Sequence, residues 1–261
     1  MELGTTVNKT NLLSRLDLRL QWILPTLIRP KKTIEEIVKK DKSVWLTPLL
    51  IISVLVIIAS LIGGPIRKNA IVSGANLPAD FQYYSAEQQA QFMNAQATQS
   101  SALFTMIFPM AGTLIGVWFS WFLLSSLLHL SLTLSGSRAS SMHSYNLVGW
   151  SMVPIIVREV VQIIAMIFSH SVVTSAGLSG FIASDVKGGL AFIAGILGQI
   201  DIYLIWQIVL ILLGVTILSG LSRTKAWMAT GISFLILVIL LALPRLATSM
   251  LSGLSTGGFY F

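Results

Sequence analysis

Cysteine is absent from the 261 residues, which excludes disulfides, thiolate nucleophiles and zinc–sulfur sites. Charge is scarce: Asp, Glu, Lys and Arg together make up 10% of the chain, against about 25% in an ordinary soluble domain. So little charge cannot cover a water-facing surface, and lipid must solvate most of the chain. Histidine occurs three times, at His129, His143 and His170, without ligand spacing, which argues against a metal site. Neither a His-Glu-x-x-His string nor a Gly-Lys-Ser/Thr phosphate loop occurs. No cofactor is implied, and the chain does not read as an enzyme.

What is abundant is apolar surface. Hydrophobic residues make up 54% and the mean hydropathy is +0.82. The apolar runs predict an all-α integral membrane protein, a bundle of five transmembrane helices behind a cytosolic amphipathic segment. The segment covers residues 1–43 and the membrane domain 44–261. Spans are expected at about 44–63, 103–134, 147–168, 200–221 and 227–243, each near the ~20 apolar residues that cross a bilayer core. The second is too long for one straight span, and Pro109 marks a kink or a start outside the membrane. Gly112 and Gly116, four apart, suggest tight packing of small residues. The first apolar run begins near Val44 behind a charged segment, as expected for an uncleaved anchor rather than a signal peptide. The Gly- and Ser-rich stretch after span three reads as a mobile loop.

The net charge is +7 and the isoelectric point about 9.9. All the basic residues but Arg158 lie outside the apolar runs, which fits anionic headgroups and topology control rather than nucleic acid. Twelve fall on one side of the predicted topology: Lys9, Arg15, Arg19, Arg29, Lys31, Lys32, Lys39, Lys40 and Lys42, then Arg138, then Arg223 and Lys225. Four fall on the other: Arg67, Lys68, Lys187 and Arg245. The bias predicts a cytosolic N-terminus, and five spans then carry the C-terminus outside.

Within the N-terminal segment, Leu12, Leu13, Leu16, Leu20, Ile23, Leu24 and Leu27 share one helical face, with Trp22 suited to a headgroup interface. Pro25 interrupts or bends that helix. A second short helix is expected after Pro30, with Ile34, Ile37 and Val38 as its apolar side. Leu16, Leu20, Trp22, Ile23, Leu27, Ile34 and Ile37 are therefore candidate contacts with the membrane surface or a partner; packing against the chain's own spans is the alternative. In the loop after span one, Ser85 and Gln88 have the spacing of a capping box, predicting a helix from Ala86 to about Ala97.

Charges within spans are costly and need partners. Arg158 and Glu159 stand together in span three, and Asp201 and His129 are their candidate partners. These four form the candidate intramembrane polar cluster, read either as a polar pathway or as a buried pair fixing helix register. Pro154, one turn before Arg158, is expected to kink the helix on the same face. Two strings resemble protease motifs. Gly177-Leu178-Ser179-Gly180 matches a rhomboid-type Gly-x-Ser-Gly string, but no histidine follows His170 to act as base. Glu35, Glu36 and Lys40 lie outside any span and carry the wrong basic residue for a prenyl-protein protease.

Several stretches then converge on one family. They are Ile28-Arg29-Pro30-Lys31-Lys32-Thr33-Ile34-Glu35-Glu36-Ile37, with Trp45 before span one, and Gly136-Ser137-Arg138 through Tyr145 to Gly149-Trp150-Ser151-Met152-Val153-Pro154. Trp206 to Gly220 with Ser222-Arg223-Thr224-Lys225-Ala226-Trp227 completes the pattern. The chain resembles the Yip family, the Ypt/Rab-interacting multi-span membrane proteins with a Yip-one domain, in its prokaryotic branch. Trp150 stands where the family usually has tyrosine. The resemblance implies a five-span, N-in scaffold or adaptor rather than a catalyst. Eukaryotic relatives are linked to small GTPases and vesicle traffic, and often carry a long polar N-terminal region that this sequence lacks. Some prokaryotic relatives are encoded beside ABC-type exporters, which implies an accessory role to an exporter or in envelope stress defence.

The expectation is thus a non-enzymatic scaffold of a prokaryotic cytoplasmic (plasma) membrane. Its partners would be the lipid bilayer, other membrane proteins such as ABC exporter subunits, and further copies of itself. The alternative is a transporter or channel for a small solute or lipid.

Overall fold

The computed structural model describes residues 18–73, 78, 80–173, 177–182 and 186–256, with 251–256 described by backbone alone. Leu12, Leu13 and Leu16 lie outside the described residues. A 3-10 turn, Leu20–Trp22, leads into two short helices, α1 (Ile23–Ile28) and α2 (Pro30–Val38). Then come α3 (Leu46–Val72) and α4 (Ala86–Gln99). A π-helical turn, Leu103–Ile107, opens α5 (Phe108–Leu134). Next are α6 (Ser141–Ser151), α7 (Val153–Ser169), α8 (Gly189–Gln199), α9 (Ile202–Ser219) and α10 (Arg223–Thr256). No strand occurs among the described residues. Five stretches are long and apolar enough to cross a membrane: Leu46–Val72, Leu103–Leu134, Ser141–Ser169, Ile202–Ser219 and Arg223–Met250. The chain is an all-α membrane protein with five candidate spans.

Three of these outrun their apolar stretches. The first continues past Gly63 through Arg67 and Lys68 to Val72, the third begins at Ser141, and the last begins at Arg223. Polarity ends an apolar run, but it does not break a backbone hydrogen-bond ladder. Arg223 also stacks its guanidinium 4.5 Å over the Trp227 ring, a cation–π contact one turn along the helix. The capping box forms as expected: the Gln88 N–H donates to Ser85 Oγ at 3.2 Å, and the Ser85 N–H donates to Gln88 Oε1 at 2.9 Å. Its helix runs from Ala86 to Gln99. The Gly- and Ser-rich stretch is not simply a loop, because it contains a 3-10 segment, Gly177–Phe181, and the apolar helix α8.

α3 packs on α7, and α10 packs on α5 and α8. An aromatic cluster fastens the basic end of the bundle. Trp45 lies 4.2 Å from Trp121, and Trp121 lies 5.5 Å from Tyr145 (ring centroids). Trp22 meets the fully buried Trp150 edge-on at 5.4 Å. Asn146 closes the same end, accepting the Val44 N–H at 2.9 Å and donating to the Lys42 carbonyl at 2.8 Å.

Close helix approach occurs elsewhere than at Gly112 and Gly116. A Cβ at either of those would meet nothing within 4 Å. At Gly149 a Cβ would fall 2.7 Å from Trp45 Cβ, and at Gly214 one would overlap Leu147 and fall 2.7 Å from Ile34 Cγ2. Spacing of small residues in one helix shows where a neighbour could come close, not which neighbour does.

Candidate functional site

Two interruptions in the helices set the site. Between α6 and α7, Met152 has ψ −1°, and Pro154, buried in the first turn of α7, supplies no N–H. The second interruption separates α8 from α9. Ile200 is extended, and Asp201 caps α9 by accepting the Leu204 N–H at 2.7 Å. The carbonyl end of α8 is met by the 3-10 segment. Leu178 donates its N–H to the Ile200 carbonyl at 3.1 Å. Gly177, at φ +52°, sits where a Cβ would crowd the carbonyls of Leu197, Gly198 and Ile200. α8 runs antiparallel to α10: Ala194 accepts from Arg245, Gly195 lies on Ala242, and Gln199 faces a cavity wall shared with Leu237 and Leu241.

Arg158 bridges the two interruptions. It stands one turn beyond Pro154, on the far side of the Met152 interruption from Asn146. Its Nη2 lies 3.3 Å from Glu159 Oε1 and its Nη1 3.5 Å from Asp201 Oδ2. Both separations exceed the 2.7–2.9 Å of tight charge-assisted bonds. Its Nε is buried without an acceptor among the described residues. Glu159 is buried, and Arg158 keeps a third of its side chain exposed. Of the four predicted cluster members, three come together. His129 stays apart, near the C-terminal end of α5 and in neither ion pair. Spans two and three run antiparallel, and Arg158, past the middle of span three, shares its cavity walls with Thr113 early in α5, so His129, late in α5, stands toward the other end. His143 lies with its Nε2 3.6 Å from the Asp41 carboxylate. His170 closes α7 in the left-handed region, at φ 51°.

Two cavities meet at Arg158. One, of about 280 Å³, lies among spans two to five and reaches Ser120, Trp121 and Gln207. The other, of about 480 Å³, extends away from the basic end and reaches Ser60, Arg67, Glu159 and Gln162. Thr113, Arg158 and Gln199 line both. Among the described residues no group of three or more His, Cys, Asp or Glu is placed to hold a metal ion.

Arg67 is the residue that sequence reasoning placed in a loop. It is helical, and its guanidinium folds back over Gly63, where a Cβ would stand 3.3 Å from Nη1. Nη1 donates to the Thr105 carbonyl at 3.0 Å. Pro109, four residues on, has no N–H for that carbonyl. This proline is the signal in the sequence: it leaves an acceptor that some donor must reach. Gln207 is a second residue passed over. It is buried within the apolar run of α9, 3.5 Å from Ser151 Oγ.

The N-terminal face divides. Trp22, Ile34 and Ile37 are buried in the bundle, and Ile23 and Leu27 pack against it. Packing on the chain's own spans therefore occupies most of the candidate contacts. Leu20 is 62% exposed and, with Leu18, Leu24 and Ile28, forms an outward apolar row. Leu16 lies outside the described residues.

The Yip1 domain family model matches residues 25–243. Among curated proteins, the membrane protein YknW of Bacillus subtilis (strain 168) is 24% identical over 208 residues, covering 78% of this chain and 81% of that one. No solved structure matches. The matched region runs from α1 to α10 and takes in both interruptions and every charged residue lining the two cavities, so the chain belongs to the Yip1 domain family.

Proposed function

We propose that the protein is a non-enzymatic membrane scaffold of the Yip type, working through other membrane proteins in a prokaryotic cytoplasmic membrane. The observation that carries this reading is the divided N-terminal segment. One face of α1 and α2 is locked into the bundle, and the other holds Leu18, Leu20, Leu24 and Ile28 out beside Arg29, Lys31 and Lys32. A rigid mount that presents an apolar row flanked by positive charge suits docking at an anionic leaflet or against a partner's helix. The N-terminus lies in the cytosol and the C-terminus outside, as the lysine and arginine bias favours. Partner candidates are ABC-type exporter subunits, by analogy with prokaryotic relatives, and a second copy of the chain.

The test is affinity purification in mild detergent followed by mass spectrometry, comparing wild type with the triple variant Leu20→Ser, Leu24→Ser, Ile28→Ser. A stoichiometric membrane partner held by wild type and lost from the variant supports the scaffold. The same partner set in both would sink the role given to this face.

A second reading, transport of a small solute or lipid, is favoured by the pair of cavities meeting at Arg158. Proteoliposome flux that responds to Arg158→Ala and Glu159→Ala supports it; flux indifferent to both counts against it.

A further inference from the structure

Arg67 and Arg158 face one chamber from different spans, and that chamber contains more than structural ion pairing requires. We propose that the 480 Å³ cavity is a binding site for a phosphate-bearing ligand, either the headgroup of a phospholipid or a free organophosphate.

Two guanidiniums and one carboxylate, Glu159, line the chamber. Asp201 partly neutralises Arg158 from the far side, with its own Oδ1 committed to the Leu204 N–H. Arg67 has no ion pair among the described residues, and its one described hydrogen bond goes to the neutral Thr105 carbonyl. An arginine this close to the end of α3 could extend toward water, since about 8 Å of helical rise separates it from Val72. Instead it turns back along its own helix, over a glycine that leaves room for it. A charge held inward without a counter-charge in an apolar bundle is costly. A bound anion removes that cost.

The remaining chemistry fits phosphate. Guanidinium forks match phosphate oxygens, and most of the donors on Arg67 are uncommitted. Arg158 keeps a third of its side chain exposed and lines the same wall, so part of it is open to a ligand in the chamber. Gln162, Gln199, Thr113 and Ser60 supply neutral hydrogen-bonding groups on the same walls. Val56, Ala59, Met166 and Val173 supply apolar surface, which would take a glycerol backbone or the first methylenes of a chain. A singly charged phosphodiester would give Arg67 the counter-charge that Glu159 and Asp201 give Arg158.

This site is independent of the α1 docking face, so either idea can fail alone. The test uses purified full-length protein in detergent, with binding followed by tryptophan fluorescence and native mass spectrometry. Three probes separate the sources: dihexanoyl-phosphatidylglycerol, dihexanoyl-glycerol without phosphate, and glycerol 3-phosphate. Saturable binding of the phosphatidylglycerol but not the phosphate-free lipid is expected. Arg67→Gln should weaken it about tenfold or more, near 1.4 kcal/mol, and Arg67→Lys by less. Gly63→Ala removes no polar group but pushes on the guanidinium, and it should weaken binding too, so the idea is tested even if Arg67→Gln fails to fold. Binding of glycerol 3-phosphate as well would identify a free organophosphate as a ligand; its absence would identify the lipid. Binding of neither phosphate probe, or phosphate binding that ignores both Arg67→Gln and Gly63→Ala, overturns the proposal.

Discussion

Asn146 shows how much a single neutral side chain can hold. It is fully buried and joins the Val44 N–H to the Lys42 carbonyl. Those two backbone groups belong to the turn between α2 and α3, where no helix ladder satisfies them. Asn146→Ala should lower stability by about 1–3 kcal/mol, the cost of buried groups left without partners. Thermal unfolding in detergent, with Asn146→Ala set beside wild type, reads this directly; an unchanged midpoint would mean the turn finds water. The glycines make a second comparison in the same assay. Gly149→Ala forces a methyl against Trp45 and should cost about 1–3 kcal/mol. Gly116→Ala meets open space and should be neutral, or stabilising by up to about 1 kcal/mol through reduced chain entropy. If the two behave alike, the close approach of α6 to the start of α3 is not what Gly149 provides.

At the scale of elements, α1 and α2 have opposite roles although both read as amphipathic. α2 turns Thr33, Ile34, Ile37 and Val38 into the bundle and leaves Lys39 2.8 Å from Glu35 on the outside. There the Lys39 ammonium, by hydrogen bond and by charge, holds the Glu35 carboxyl below its ordinary range. α1 buries only Thr26 and leaves Leu24 and Ile28 outward. Ile34→Ala should cost about 2–5 kcal/mol, as for other fully buried aliphatic truncations, whereas Leu24→Ser should leave unfolding unchanged and alter only membrane or partner association. Equal destabilisation by both would show that α1 is buried in an assembly. Periodicity identified both helices as two-faced. It could not tell which face the spans cover, because that depends on what Gly214 and Leu147 present to α2 from far along the chain.

For the whole molecule, orientation is the property most open to direct measurement, because the chain has no cysteine to interfere. Single cysteines at the exposed positions Asp41, Glu87 and Thr224 would report both ends of the bundle. A membrane-impermeant maleimide on intact cells should label Glu87→Cys and spare Asp41→Cys and Thr224→Cys until the membrane is opened. The reverse pattern would overturn the N-in assignment. Number, type and order of spans were legible without coordinates. Apolar runs of this length have one solution in lipid, a helix that satisfies its own backbone, and that is a local property of each run. Arg158, Glu159 and Asp201 were legible for the same reason, as charges standing in or beside such runs. Only tertiary structure decided that Asp201 and not His129 reaches Arg158, that Arg67 turns inward to a carbonyl Pro109 leaves open, and that α8 breaks from α9 at the depth of that arginine. Each depends on which helices are neighbours and which faces they turn to one another, and a one-dimensional pattern of polarity holds no information about that.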